Sequence, residues 1–383
     1  MTRTLVITND FPPRHGGIQS YVYALVSQLG ADDVVVYASS SPGSAAFDAA
    51  QPFPVVRERA TTLLPIPRVI RRAQHIAHAE GCSAVWFGAA APLGLMASAL
   101  RRAGVERLVA SSYGHEIGWA QLPGARRLLR RIGDHVDVMT YLAGYTRSRI
   151  SPALSPAARA RMVQLPAGVD DQRFRPGVGG AAIRERYRLE DRPVVVCVSR
   201  LVPRKGQDVL IQAMPAIQRR LSEAVLLIVG DGPYRKRLEA MADAIGVRNS
   251  VIFTGPAPEK KLPSYFDAGD VFAMPCRTRW RGLDVEGLGI VYLEASATEL
   301  PVIAGNSGGA PDTVRDRETG YVVDGRSVAQ VAERVSELLA SPETARAMGE
   351  CGRAWVADAW RWDRIAARLQ ALLEPNNPYP TSR

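Results

Sequence analysis

Cysteine is scarce in this chain. Its 383 residues hold four, Cys82, Cys197, Cys276 and Cys351, with no C-x-x-C pair among them. So wide a scatter argues against a disulfide framework or a thiolate zinc site and fits a reducing cytosol. Lysine is absent from residues 1–178, which carry 20 Arg against 12 Asp and Glu, a balance of +8. The remainder carries 28 Lys and Arg against 26 acids, so most of the net charge of +10 sits in the first half. A basic half points to an anionic partner there, whether a lipid surface, an acidic acceptor or nucleic acid. Arginine-rich composition from genome bias would give the same count. Uninterrupted apolar runs are missing too. Ser83–Leu100 has 18 residues without a charge, near the length of a membrane span, but Gly88, Pro92 and Gly94 break it. A buried strand, a loop and a helix start account for it better. No G-x-G-x-x-G fingerprint, short repeat or low-complexity segment occurs. The chain runs at once into the strand-like Thr4–Thr8, so no signal peptide is expected.

What is present reads as an ordinary globular protein, 46% apolar and 22% charged, and long enough for two domains. Thr4–Thr8 predicts a strand, Pro12, Pro13, Gly16 and Gly17 a loop, and Ile18–Leu29 a helix. That arrangement can hold a phosphate on free amides at the helix start, and a plain tight turn would look the same. Short strands are predicted at 34–38, 85–87, 108–111, 136–141 and 162–165. The turn-rich stretch 166–177 reads as a hinge. The pattern restarts with strands at 193–199, 224–229, 251–253, 271–273 and 301–304. Strands alternating with helices imply parallel sheets, hence two doubly wound α/β domains with ligands at the carboxyl ends of their strands.

Two carboxylates in Asp284-Val-Glu-Gly-Leu-Gly-Ile-Val-Tyr-Leu-Glu294 organise the second half. Glu286 and Glu294 are separated by seven residues, eight steps that span up to about 12 Å if the interval is helical at 1.5 Å per residue. That is too far for an acid/base pair on one bond and suits two contacts along an extended ligand. Glu286 and Gly287, Leu288 and Gly289 should form a loop at a helix start, with Glu294 on the helix body. A helix N-cap role for Glu286 is the plainer alternative. Arg200 and Lys205 follow the predicted strand 193–199. Two cations there can neutralise a pyrophosphate, although a solvated basic turn would also explain them.

Resemblance adds to this. In Glu286-x7-Glu294 and Arg200-Leu-Val-Pro-Arg-Lys205-Gly the chain resembles the retaining GT-B glycosyltransferases of family 4, which use nucleotide sugars. Asn9-Asp-Phe-Pro-Pro-Arg-His-Gly-Gly-Ile-Gln-Ser20, Val85-Trp-Phe-Gly-Ala-Ala-Ala-Pro-Leu93, Gly114-His-Glu-Ile-Gly-Trp119 and Arg277–Glu294 are similar to the actinobacterial GDP-mannose-dependent phosphatidylinositol monomannoside mannosyltransferases. The likeness runs to about Leu373. It implies two Rossmann-like domains facing a cleft. Residues 1–175 would face acceptor and membrane, 176–357 would bind the nucleotide sugar, the helix 358–373 would cross back to the first domain, and 374–383 would form a disordered tail.

The resemblance also implies roles. His115 and Glu286 would meet the transferred sugar, and Arg200 and Lys205 the pyrophosphate. Glu294 would accept the ribose hydroxyls, Leu288, Gly289 and Ile290 would offer backbone donors, and Gly255 and Pro256 would lie by the guanine. Gly16, Gly17 and Gly287 complete the substrate loops. Asp10 is a candidate for positioning the acceptor, with a strand cap as the equal alternative, and Trp119 is a candidate acceptor contact, with plain packing as the equal alternative. The expected reaction is a front-face transfer of mannose from GDP-mannose to the 6-position of phosphatidylinositol monomannoside, giving the dimannoside. No D-x-D occurs, and no metal or other cofactor is expected. The enzyme should be cytoplasmic and peripheral on the anionic inner leaflet, with no nucleic-acid partner. In Gly124–Gly133, Arg126, Arg127, Arg130 and Arg131 share one arc and Leu128, Leu129 and Ile132 the opposite one. A lipid-resting helix and an ordinary surface helix both give that pattern. Trp280, where relatives tend to carry small residues, stands beside the catalytic loop.

Overall fold

The computed structural model describes residues 2–282, 284–375 and 377. Of the tail expected to be disordered, residues 376 and 378–383 lie outside the described residues. The chain forms two compact units, 1–167 together with 362–383, and 168–361.

Among the described residues of the first unit, seven strands form one parallel sheet. They are β1 (Thr4–Thr8), β2 (Val34–Ser39), β3 (Val55–Glu58), β4 (Ala84–Phe87), β5 (Arg107–Ser112), β6 (Val138–Tyr141) and β7 (Met162–Gln164), in the order β3-β2-β1-β4-β5-β6-β7. β1 and β2 are buried along their whole length, as expected of continuous apolar strands covered by helices on both faces. Cores lie on the two sides of the sheet. One gathers Leu5, Ile7, Val85, Phe87 and Leu108, and the other Val6, Val36, Trp86 and Val109. Alternate residues of each strand thus point to opposite faces. The final helix, Trp362–Leu373, belongs to this unit and lays Ile365, Leu369, Leu372 and Leu373 into the second of these cores. The Arg107 guanidinium donates to the Leu372 carbonyl at 2.7 Å.

The second unit repeats the plan with six parallel strands: β8 (Val194–Val198), β9 (Val225–Val229), β10 (Val251–Gly255), β11 (Val271–Met274), β12 (Val302–Gly305) and β13 (Gly320–Val323), in the order β10-β9-β8-β11-β12-β13. β3 and β13, which the apolar pattern did not single out, are both edge strands. In each sheet the winding reverses once, between β1 and β4 in the first and between β8 and β11 in the second. In open α/β sheets a crevice forms outside the carboxyl ends of the strands at such a reversal, and ligands bind there.

Candidate active site

At the first reversal point, the segments leaving β1 and β4 are met by the one leaving β5. Asp10 follows β1. Its carboxylate accepts from Gln19 Nε2 at 2.7 Å, and its own amide donates to Thr8 Oγ1 at 2.9 Å. Burial pushes the Asp10 carboxyl up, against the pull of His115 and Arg14. Gly16 precedes the helix Gly17–Val26, and a Cβ at Gly17 would meet open space. Gly16 is in extended backbone that any residue adopts, so neither glycine is demanded by strain. A Cβ at Gly16 would fall 2.1 Å from Gln19 Oε1, so Gly16 leaves space for the side chain that holds Asp10, and Gly17 leaves room beside the amides of the helix start.

His115 caps the short helix Glu116–Gln121, just beyond β5. Its Nε2 lies 3.1 Å from Glu116 Oε1 and 3.3 Å from the Ala91 carbonyl, which belongs to the loop after β4. Glu116 is fully buried and its other oxygen accepts from the amides of Tyr113 and Gly114. Burial disfavours an imidazolium, but the Glu116 carboxylate beside the ring, helped by the Ala91 carbonyl and Asp10, outweighs it and pushes the His115 pKa up to about 9. The ring is therefore cationic at neutral pH. Trp119, proposed from sequence for the acceptor side, is packed against the core.

At the second reversal point Arg200 and Lys205 follow β8, while the loop after β11 leads to Glu286. Lys205 Nζ and Glu286 Oε2 stand 2.7 Å apart, and both residues are buried. Two glycines draw these loops in. Gly206 has φ +81°, and a Cβ there would fall 2.0 Å from the Pro275 carbonyl. Gly308 has φ +57°, and a Cβ there would fall 1.8 Å from the Glu286 carbonyl. The segment 276–286 is tied down further by ion pairs. Arg277 grips Asp208 through two bonds of 2.9 and 2.6 Å, and Asp284 takes Arg204 at 3.5 Å and Arg279 at 3.4 Å. Arg200 is exposed and has no ion-pair partner among the described residues, so its charge is available to an anion. Trp280 is 67% exposed at the tip of this loop, with φ +47° and the Arg279 guanidinium 4.8 Å from its ring centre.

Gly287, Leu288 and Gly289 lead into the helix Ile290–Ala297, with Gly289 in the left-handed region at its start. Glu286 is thus in the loop and Glu294 on the helix body, as the sequence spacing suggested. Burial raises the Glu294 carboxyl to about 7, opposed by Arg173 and assisted by Glu259. Arg173 and Glu259 are themselves paired at 3.0 Å. Gly255, with φ +78°, ends β10, and Pro256 beyond it is exposed. Several participants went unread in the sequence: Glu116, Gln19, Arg173 and the loop Asn306–Gly309. That loop had a signal, since Asn306-Ser-Gly-Gly309 directly follows an apolar strand, as the other glycine loops do. Its Ser307 hydroxyl is 3.1 Å from that of Thr278, and the Gly309 amide donates to the Glu286 carbonyl at 2.9 Å.

Residues 15–173 match the family model described as Glycosyltransferase Family 4, and residues 181–355 the model described as Glycosyl transferases group 1. The chain is 53% identical over 380 residues to the GDP-mannose-dependent alpha-(1-6)-phosphatidylinositol monomannoside mannosyltransferase of Mycobacterium tuberculosis, covering 97% of this chain and 98% of the relative. It is 45% identical over 377 residues to the GDP-mannose-dependent monoacylated alpha-(1-6)-phosphatidylinositol monomannoside mannosyltransferase of Corynebacterium glutamicum, again covering 97% and 98%. Among solved structures, Anabaena HepE in complex with UDP aligns with a TM-score of 0.80 over 97% of this chain and 98% of its own, at 17% identity. That likeness is one of fold, the GT-B fold of two Rossmann-like domains. With half of its residues shared along nearly the full length of both chains, this chain belongs to the glycosyltransferase family that the two actinobacterial relatives represent.

Proposed function

We propose that the chain is a retaining mannosyltransferase that moves mannose from GDP-mannose to the 6-position of the mannosylated inositol of phosphatidylinositol monomannoside. The observation that carries this is the 53% identity, over 98% of its length, to the M. tuberculosis relative named for that donor and acceptor. The geometry at the second reversal point supports it. Arg200 and Lys205 offer two cations to a pyrophosphate, Glu286 offers a carboxylate to sugar hydroxyls, and Glu294 offers one to ribose hydroxyls.

In the proposed reaction the acceptor hydroxyl oxygen attacks the anomeric carbon on the face from which GDP departs. The bond from that carbon to the phosphate oxygen breaks, its electron pair stays with GDP, and the departing phosphate takes the hydroxyl proton. Lys205 and Arg200 stabilise the charge that builds on the leaving phosphate, and cationic His115 donates to the transferred sugar. Lys205 already faces Glu286, so donor binding exchanges part of one charge pair for another rather than stranding a buried ion. The proposal needs no metal ion. The first unit's excess of arginine would meet an anionic membrane surface on the cytoplasmic side. Among the described residues no helix is long and apolar enough to cross a membrane.

The test is a transfer assay with GDP-mannose and vesicles holding, separately, phosphatidylinositol, its monomannoside and the acylated monomannoside, with excess chelator in a parallel arm. Dimannoside should form from a monomannoside and not from phosphatidylinositol, with or without chelator, and Glu286→Ala should abolish it. Consumption of another nucleotide sugar in place of GDP-mannose would overturn the donor. Binding of GDP-mannose without transfer to any of the lipids would overturn the acceptor.

A further inference from the structure

We propose that Glu116 is a positioning residue for transfer: its buried carboxylate, anchored by two backbone amides, grips the Nε2 edge of the His115 ring, keeps the ring a charged donor and leaves Nδ1 to face the sugar. This rests on the reading that His115 meets the transferred sugar.

Glu116 is fully enclosed, and among the described residues its one ion-pair partner is His115. A carboxylate without a cation is costly in such a place, so its charge is sustained by the Tyr113 and Gly114 amides, at 3.1 and 3.4 Å, and by the imidazole at 3.1 Å. His115 stands just before the helix that Glu116 opens, in helical backbone itself, and the two side chains approach to 3.1 Å.

Two acceptors, Glu116 Oε1 and the Ala91 carbonyl, crowd Nε2, which fixes that nitrogen as an N–H donor. Nδ1 has no hydrogen-bond partner among the described residues and the side chain is 39% exposed, so Nδ1 is the ring nitrogen left for a ligand. With Nε2 already bearing a proton, the second proton decides the chemistry at Nδ1. A neutral ring would present a lone pair there, whereas an imidazolium presents an N–H. Glu116 supplies most of the negative charge that favours the second proton, Asp10 adds to it, and Arg14 faces Asp10 in turn. The Tyr113 phenol, stacked 6.4 Å from the ring, is pushed well above its ordinary range by burial and stays neutral. The raised ring pKa of about 9 is the balance of these groups against desolvation.

The experiment uses the full chain. The His115 ring is followed by NMR across pH without substrate, its signal identified by loss in His115→Asn, and kcat/KM is measured over the same range. Whichever way its amide is turned, Gln at position 116 brings no negative charge. Glu116→Gln should therefore drop the ring midpoint from about 9 to about 6.5 or below, near the unperturbed value. The alkaline limb of kcat/KM should move with it, a loss of about 30-fold at pH 8 and less than about twofold at pH 6. Glu116→Asp, which keeps the charge, should recover part of the pH 8 rate. An unmoved ring midpoint in Glu116→Gln, or a loss equal at every pH, would overturn the proposal. So would a wild-type ring that titrates at or below about 6.5, a result independent of how the variants fold. Because the ring is titrated without donor or acceptor, failure of the mannosyl-transfer reading is seen separately, in the wild-type assay.

Discussion

A carboxylate that is to accept two ribose hydroxyls has to be ionised, and Glu294 is held where ionisation is costly, with a pKa raised to about 7 chiefly by burial. Nucleotide binding that uses the ionised form should weaken as pH falls through that value. GDP affinity, measured by calorimetry, is expected to be about tenfold lower at pH 6 than at pH 8, with the difference gone in Glu294→Gln. A flat profile in the wild type would remove Glu294 from the ribose. The sign for stability is the reverse. The folded chain keeps a proton that the unfolded chain releases, so this group's contribution is favourable at low pH and is lost between the ordinary carboxylate range and about 7. The residue scale also marks a limit of sequence reading. Glu286 and Glu294 are legible by spacing, and Lys205 by its place after an apolar strand. The contact of Lys205 with Glu286 across 81 positions exists only once β8 and β11 are neighbours. Glu116 was hidden for another reason: beside a histidine in the chain, nothing in its spacing says that it turns inward.

Among the elements, the helix Pro123–His135 was ambiguous by periodicity, and its packing divides the two readings by residue. Leu129, Ile132 and Gly133 are buried in the core, as in an ordinary surface helix. Leu128 and the preceding Leu122 are exposed instead, at 39% and 63%, and so are Arg126, Arg127, Arg130 and Arg131. Any lipid contact by this helix thus rests on its arginines and these two leucines, since the rest of its apolar face is already used. Arg126 donates to the Pro152 carbonyl and Arg130 lies 4.0 Å from Asp134, which leaves Arg127 and Arg131 as the better probes. At about 1 kcal/mol per basic residue near an anionic surface, Arg127→Gln with Arg131→Gln should weaken sedimentation with anionic vesicles by roughly 30-fold at low salt. Neutral vesicles should show no difference. Equal binding of variant and wild type to anionic vesicles would take this helix off the membrane. Of the strands missed in the sequence, both edges, β3 ends in Arg57 and Glu58 and so lacks the unbroken apolar run of a central parallel strand, while β13 offers only the three residues Tyr321–Val323 after Gly320. Arg57 nonetheless matters to the site, since it ties the glycine loop through the Pro12 carbonyl, 2.5 Å away, to Asp48.

At the scale of the molecule, the doubled strand–helix pattern sufficed to read two parallel α/β units, because the central strands are buried on both faces and each carries a short apolar run. The return of the last helix to the first unit came from resemblance, since amphipathic periodicity says that a face is covered and not by what. The structure supplies the cover: Ile365, Leu369, Leu372 and Leu373 enter the core shared with Val6, Leu25 and Trp86. Buried at about 1.5–3 kcal/mol each, these four side chains are worth roughly 6–12 kcal/mol, comparable to the whole margin of about 5–15 kcal/mol by which a domain is stable. The helix is therefore part of the first unit's core even though almost 200 residues separate it from the rest of that unit. In a chain ended at Arg361 the first unit should aggregate or lose its cooperative melt even where the second unit, 168–361, keeps its own, and Leu369→Asp in the full chain should lower the first unit's melting temperature sharply, with loss of transfer following loss of fold. If residues 1–167 of the truncated chain instead keep wild-type protection in hydrogen exchange, the first unit closes its core without the helix and this assignment of its stability is wrong.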